Sequence, residues 1–309
     1  MSASRHTGLR YTAETVPIAD VLIALDPLLR LADGLVVRWQ TIAIAAIIVA
    51  ALALAARIGR WLDLRADDLL YIAVGIVPGA VVGGRLGYGL VHLDVFGAAP
   101  GLLLDPSRPG LELGAGVIGG VLTGTAVAGL LGAPIGRWAH ASALALLFAL
   151  GEGKLAMMLG GSGQGVPSDA PWATAYIGPG PWGSLAPEVP SHPSQAYEGL
   201  ATLILLIVLA TSVIAGAFGR RDGRLLLAAL AGWASIRAAV SLTWRDPPVV
   251  WPFGGAGPLA PAGLLALAIA VAAVVALVIA SLRARSPQAA PTAASPEPLW
   301  PDPSTRPRF

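Results

Sequence analysis

The side chains in this sequence that could do chemistry are few and are set in apolar surroundings: Arg85, Glu112, Glu152, Lys154, Glu198 and Arg237, with the polar segment HPSQAYEG at 192–199. A charge at the centre of a membrane-spanning helix costs about 2.5–3.5 kcal/mol even on lenient insertion scales, so each of these needs a partner, a wet cavity or a ligand. Arg85 stands in VVGGRLGYGLVH, where glycines let another backbone or a ligand approach closely. Arg237, in LAGWASIRAAVSL, has Trp233 one turn earlier on the same face. Glu152 and Lys154 are two residues apart, point to different sides of a helix and are poor partners for each other. If Arg85, Lys154 and Arg237 faced one cavity, they would hold a phosphate or the head group of an anionic phospholipid. Snorkelling to the interface or structural ion pairing is the competing reading, and for Glu112 and Glu198, near the expected helix ends, both readings stay open.

The segment HPSQAYEG crowds His192, Ser194, Gln195, Tyr197 and Glu198 at the start of an apolar run. His192–Pro193–Ser194 reads as a loop entering a helix, with Ser194 positioned to cap it. An exposed loop histidine is the alternative for His192. His6, His92 and His140 fall in a tail or in loops with no constellation around them, and four scattered histidines give no metal-ligand spacing. No soluble cofactor is suggested. The absence of cysteine excludes disulfides, thiolate metal sites and a covalent cysteine intermediate.

The elements that must position these groups follow from composition and hydropathy. Of 309 residues, 55% are hydrophobic and 12% charged, and the mean hydropathy is +0.71. The charged fraction is about half the roughly 25% of a soluble domain. A net charge of +2 without a basic run gives nucleic-acid binding no support. Apolar runs long enough to span a bilayer lie near 37–57, 69–91, 111–132, 141–160, 197–218, 224–244 and 261–282. The expected architecture is an all-α, polytopic integral membrane protein of seven transmembrane helices, with a long outside loop between the fourth and fifth. Residues 1–33 form an N-terminal segment in which Ile18–Leu31 reads as an interfacial amphipathic helix. Residues 34–283 form the membrane domain, and the Pro-, Ser- and Ala-rich stretch 284–309 is read as a disordered cytoplasmic tail.

Arginines alternate between the connecting segments. Arg57, Arg60 and Arg65, then Arg137, then Arg220, Arg221 and Arg224, then Arg283 and Arg285 belong to one side, which the positive-inside rule makes cytoplasmic. On the other side, 93–109 has only Arg108, 161–196 has none, and 245–260 has Arg245 alone. The N-terminus is therefore expected outside and the C-terminus inside, with Arg5, Arg10 and Arg30 running against the rule. Loop 161–196, built of Gly, Pro, Ser and Trp, reads either as a flexible connection or as a lid over a membrane site.

With these residues in view, the sequence resembles the bacterial prolipoprotein diacylglyceryl transferases. HPSQAYEG is similar to the family's HPSQLYE, and GGRLGYGLVH to its GGRxGYVLFY. Weaker matches are LVVRWQTIAI with I-R-W-Y-G, GAGVIGGVLTG with H-G-G-x-x-G, GEGKLAMMLGGSGQG with G-R-x-G-N-F-x-N-G-E-x-W-G, and GWASIRAAVS with G-x-x-R-F-x-x-E. The resemblance covers roughly residues 34–282. It implies a bacterial inner-membrane enzyme of lipoprotein biosynthesis that moves the diacylglyceryl group of phosphatidylglycerol onto the lipobox cysteine of a prolipoprotein signal peptide. Arg85, Lys154 and Arg237 fall on the family's phosphate-holding cations, and lysine at 154 keeps the charge but loses the bidentate fork.

The departures touch the acid–base groups. Gly114 aligns with the histidine of H-G-G, Met157 and Ser162 with an asparagine and a glutamate, Gln40 with a tyrosine, and Ser241 with a glutamate. If the chain is a transferase, His192 is the leading replacement base, because imidazole is largely neutral at pH 7 and can take a proton. Glu112 is the second. Gln195, Tyr197 and Glu198 support the motif. The alternative is a catalytically degenerate paralogue that binds phospholipid or acts as an accessory membrane protein. A small-solute transporter is disfavoured by the lack of an internal repeat.

Overall fold

The computed structural model describes residues 21–31, 34–105, 107, 110–245 and 259–285. Seven helices in it are long and apolar enough to cross a membrane. They are α1 (Trp39–Trp61), α2 (Ala66–Val91), α4 (Leu113–Leu130), α5 (Ile135–Ala156, continued by a 3-10 turn Met157–Gly160), α6 (Ser194–Ile214), α7 (Arg224–Val240, continued by Ser241–Thr243) and α8 (Pro261–Arg285). A four-residue helix, α3 (Leu93–Phe96), follows α2. Rows of exposed Val, Leu and Ile on α2, α6 and α8 point away from the bundle, as expected where the surrounding solvent is lipid. The backbone groups are satisfied within each helix.

Small residues bring the helices together. α2 lies against α4 along Gly75, Gly79 and Gly83, a four-residue repeat of the small-xxx-small kind. A Cβ on Gly79 would fall 2.1 Å from Thr123 Oγ1 and 2.5 Å from the carbonyl oxygen of Gly119. α5 and α6 meet in the same way: a Cβ on Gly151 would lie 3.3 Å from the carbonyl oxygen of Gly199, and one on Gly199 3.0 Å from that of Gly151. Gly199 directly follows Glu198, and Gly151 precedes Lys154 by one turn, so this close approach is what lets those two charges meet.

The connections sort onto two faces. On one, Arg137 donates to the carbonyl of Leu62 at 3.2 Å, Gly136 packs on the backbone of Arg221 and Asp222, and Arg220 bonds the carbonyl of Ala284. This is the arginine-bearing face. On the other lie loop 161–193, the loop after α2 and the N-terminal strands.

The expected amphipathic helix at 18–31 is not formed where the chain is described; residues 18–20 lie outside that part. Residues 21–31 instead hold β1 (Val21–Ala24) and β2 (Leu28–Arg30), the latter antiparallel to β3 (Val36–Arg38). Pro27 removes a backbone donor and breaks helical continuation, and the Asp26 carboxylate accepts from the Leu28 N–H at 3.0 Å, forming a turn between the strands. β1 pairs in parallel with β4 (Thr174–Ile177), with Val21 opposite Thr174. Residue 21 and loop 161–193 therefore share a face. The loop itself is ordered: Thr174 and Ser191 exchange backbone bonds at 2.9 and 3.1 Å, and Gln164 Nε2 donates to the carbonyls of Thr174 at 2.8 Å and Val189 at 3.1 Å.

Candidate functional site

Four charged side chains converge at the face that carries loop 161–193. Glu112 is the N-cap of α4, with one carboxylate oxygen accepting the Ala115 N–H at 2.6 Å, and its own N–H donates to the carbonyl of Gly84 on α2 at 2.8 Å. Arg237 Nη2 lies 3.0 Å from the other Glu112 oxygen. Arg237 Nη1 lies 3.1 Å from Glu198 Oε1, and Lys154 Nζ 2.8 Å from Glu198 Oε2. Glu198, Arg237 and Glu112 are buried, and Lys154 keeps only 12% of its side chain exposed. The ring of Trp244 covers Arg237 at 4.6 Å and approaches Lys154 at 5.9 Å. Sequence spacing had separated Lys154 from Glu152, and the partner it finds is Glu198.

Glu112, Lys154 and Arg237 border a cavity of about 590 Å³, with Glu198 buried behind them; the cavity is lined also by Tyr88, His92, Gln195 and Arg245 and walled by Gly163, Gln164 and Ser184 of the long loop. Of the three cations expected to share it, Lys154 and Arg237 do. Arg85 does not line it. Its guanidinium donates to the carbonyls of Leu103 (2.7 Å), Gly110 (3.1 Å), Asp105 (3.1 Å) and Leu102 (3.2 Å), which occupies four of its five N–H groups. Arg85 fastens the loop after α2, an assignment that replaces its expected place beside a phosphate. The third cation of the cavity is Arg245, an arginine alone in its connecting segment. It bonds Gly165, Ser184, Ala186 and Ser191 and ties loop 161–193 to the end of α7.

The motif HPSQAYEG divides between two places. Glu198 lies in the ion-pair cluster, and Gln195 lines the cavity, its amide donating to the Tyr176 hydroxyl at 2.7 Å. Burial pushes the Tyr176 phenol up to about 12 against the opposing effect of that hydrogen bond. Tyr197 and His192 face elsewhere: His192 Nδ1 lies 3.1 Å from the Tyr197 hydroxyl, to which Trp172 Nε1 donates at 2.6 Å. His192 does not line the cavity, contrary to its expected role as a base. Ser194 is the first residue of α6 rather than its cap, and its hydroxyl pairs with Thr243 Oγ1 at 2.7 Å.

Two histidines read as loop residues are placed differently. His140 is buried within α5. His92 closes α2, lines the cavity and was missed. Its signal was the spacing Tyr88–His92, four apart on one helix face, which puts the ring on the Tyr88 carbonyl at 2.9 Å. His6 and Arg108 lie outside the described residues.

The replaced motif positions are structurally consistent with one another. Ser162 Oγ donates to Gln40 Oε1 at 3.1 Å, so two departures far apart in sequence satisfy each other. A Cβ on Gly114 would meet the Glu112 carboxylate at 3.1 Å and Ile269 Cδ1 at 3.0 Å, so a side chain there would contest the space that Glu112 uses. Ser241 is buried where a Cβ on Gly263 of α8 would fall 2.2 Å from its hydroxyl, leaving no room for a glutamate.

The profile of the prolipoprotein diacylglyceryl transferase family matches residues 27–281. Among individual proteins, the phosphatidylglycerol–prolipoprotein diacylglyceryl transferase of Solidesulfovibrio magneticus is 36% identical over 161 residues, 49% of this chain and 56% of that one. The protein of the same name from Geobacter sulfurreducens is 31% identical over 166 residues, 53% of this chain and 58% of that one. That from Methylocella silvestris is 31% identical over 284 residues, 82% of this chain and 97% of that one. The chain thus spans under two thirds of the first two relatives and nearly the whole of the third. With the seven helices and the shared motifs, the match over 27–281 means that the chain belongs to the prolipoprotein diacylglyceryl transferase family.

Proposed function

We propose that the chain transfers the diacylglyceryl group of phosphatidylglycerol to the cysteine thiol of a prolipoprotein signal peptide. The reaction is assigned to the outer face of a bacterial plasma membrane, with the N-terminus outside and the C-terminus cytoplasmic. One observation carries the reading. The polar cavity shares Leu111, Glu112 and Leu113 with an apolar groove of about 470 Å³ formed by α1, α2, α4 and α5. Adjoining cavities with charged groups in one and aliphatic walls in the other match a molecule with a phosphate head and acyl tails.

Lys154, Arg237 and Arg245 stand against Glu112 and Glu198, an excess of cation that favours an anionic head group. Lys154 has three N–H donors and pairs with one carboxylate, that of Glu198, and Arg237 Nε is buried without a hydrogen-bond partner among the described residues. The remaining Lys154 donors can meet phosphate oxygens without breaking the ion pairs. In the transfer, the thiolate forms a bond to the glyceryl carbon as the carbon–oxygen bond to phosphate breaks, and the electron pair leaves on the glycerol phosphate. Lys154 and Arg237 stabilise that growing charge in a shielded site. The grouping of arginines on the opposite face supports the orientation.

The test supplies purified protein with phosphatidylglycerol and a lipobox peptide and follows the diacylglyceryl thioether by mass spectrometry. Product that appears with phosphatidylglycerol but not phosphatidylcholine is expected. The losses at Gly114 and Met157 favour a second reading, a lipid-binding paralogue without turnover. Retention of phosphatidylglycerol with no thioether formed would establish that reading and overturn the first.

A further inference from the structure

We infer that His92 is the general base of this transfer, accepting the proton of the acceptor thiol on Nε2; the inference rests on the transferase reading. Its Nδ1 lies 2.9 Å from the carbonyl oxygen of Tyr88, an atom that can only accept. In the neutral ring the proton therefore sits on Nδ1, and the lone pair is on Nε2. The half-buried ring lines the same cavity as Lys154 and Arg237.

The ring is also held in place. Tyr88 packs on it with centroids 4.1 Å apart. Tyr88 is itself fixed by the edge of Phe96 at 5.8 Å and by Gly110, where a Cβ would fall 2.4 Å from the phenol ring. Arg85 bonds the carbonyl of that same Gly110. Arg85 is thus a positioning residue for His92, acting through the loop and Tyr88.

The other bases are engaged or absent from the cavity. Arg237 and the Ala115 N–H each take one oxygen of Glu112, and His192 is bonded to Tyr197 away from the site. Among the described residues His92 is the histidine that lines the cavity. The balance is complete: the sulfur–hydrogen proton passes to Nε2, sulfur bonds the glyceryl carbon, and the glycerol phosphate leaves with the electron pair of the broken carbon–oxygen bond. The imidazolium then returns its proton to the departing phosphate or to water.

The experiment compares a cysteine peptide with its selenocysteine counterpart, whose selenol is already ionised at neutral pH and needs no base. His92→Gln keeps an N–H for the Tyr88 carbonyl but cannot take a proton. It should slow the cysteine peptide by about 100-fold or more, the scale of general-base catalysis, while leaving the selenocysteine peptide within about threefold of wild type. Free imidazole should restore the cysteine reaction to His92→Ala, and His192→Gln should leave both reactions unchanged. Full activity of His92→Gln on the cysteine peptide overturns the inference, as does equal slowing of both peptides without imidazole rescue. A wild-type protein inert towards both peptides overturns the transferase reading and the base with it.

Discussion

Glu198 is the carboxylate on which two cations depend, and replacing it with glutamine isolates what that charge does. Lys154 Nζ at 2.8 Å and Arg237 Nη1 at 3.1 Å both bind it, and the residue is fully buried. Removing one partner of a buried pair costs about 3–5 kcal/mol, because the remaining charge is left shielded and uncompensated. Arg237 keeps Glu112, and glutamine still offers one acceptor oxygen, so Glu198→Gln belongs at the low end, about 3 kcal/mol. For a chain of this size that lowers the unfolding midpoint by roughly 5–10 °C. Tryptophan fluorescence during heating in neutral detergent measures it, with exposed Glu188→Gln as the silent control. Phosphatidylglycerol should recover at least about half of the loss by supplying an anion to the two cations, and phosphatidylcholine should not. A midpoint within about 2 °C of wild type would refute the role of the carboxylate. Equal recovery by phosphatidylcholine would refute anionic-head-group binding at Lys154 and Arg237.

Further expectations concern topology, packing and alkaline stability. In this cysteine-free chain, a cysteine at Leu185, which is 95% exposed, should react with an impermeant thiol reagent in intact cells, whereas one at Asp222 should react only after lysis; the reverse pattern sinks the orientation. Gly79→Val should destabilise the α2–α4 contact by about 1–3 kcal/mol, since the Cβ would meet the Gly119 carbonyl, while Gly101→Ala, with open space around it, should leave the melting midpoint unchanged. Tyr176 is neutral in the folded state up to about 12 but ionises near 10 when unfolded. Its contribution is therefore complete below pH 10 and lost as pH rises towards 12. Tyr176→Phe should accordingly show a smaller drop in melting midpoint between pH 9 and pH 11 than wild type.

The spans were legible because a run of about twenty apolar residues has few other uses, and all seven expected runs overlap the helices found. The pairing of β1 with β4 was not, because a strand's partner some 150 residues away leaves no mark in local periodicity. Within the site, Glu112, Lys154, Glu198 and Arg237 were legible from the cost of charge in apolar sequence. Arg85 carried the same signal for a different reason. Its acceptors are main-chain carbonyls, which any sequence possesses, so nothing in residue identity tells a loop-fastening arginine from one that awaits a phosphate. Arg245 was hidden by the converse argument, since an arginine outside the spans carries no cost to explain. His92 was overlooked because it stands one residue past a helix, where only its spacing from Tyr88 hints at a fixed ring.

Three of the four clustered charges also obey a rule that relates them to the helices carrying them. Lys154 and Arg237 lie in the last turns of α5 and α7, whereas Glu112 caps the N-terminus of α4 and Glu198 stands near that of α6. Lys154, Arg237 and Glu112 therefore each meet the end of their helix that carries the opposite partial charge, an interaction worth roughly 0.3–1 kcal/mol apiece and more when shielded, whereas Glu198 stands in the second turn of α6. This lowers the cost that a charge would bear at mid-bilayer and explains why the cluster lies at helix ends. It also sets the terms for an incoming phosphate. Around Lys154 and Arg237 the helix ends present carbonyl oxygens, which repel an anion, so the phosphate is held by the side-chain cations and not by the backbone. The same repulsion acts on the glycerol phosphate product, whose holding cations stay paired with Glu198 and Glu112, so the carboxylates that stabilise the empty site also favour release of the leaving group.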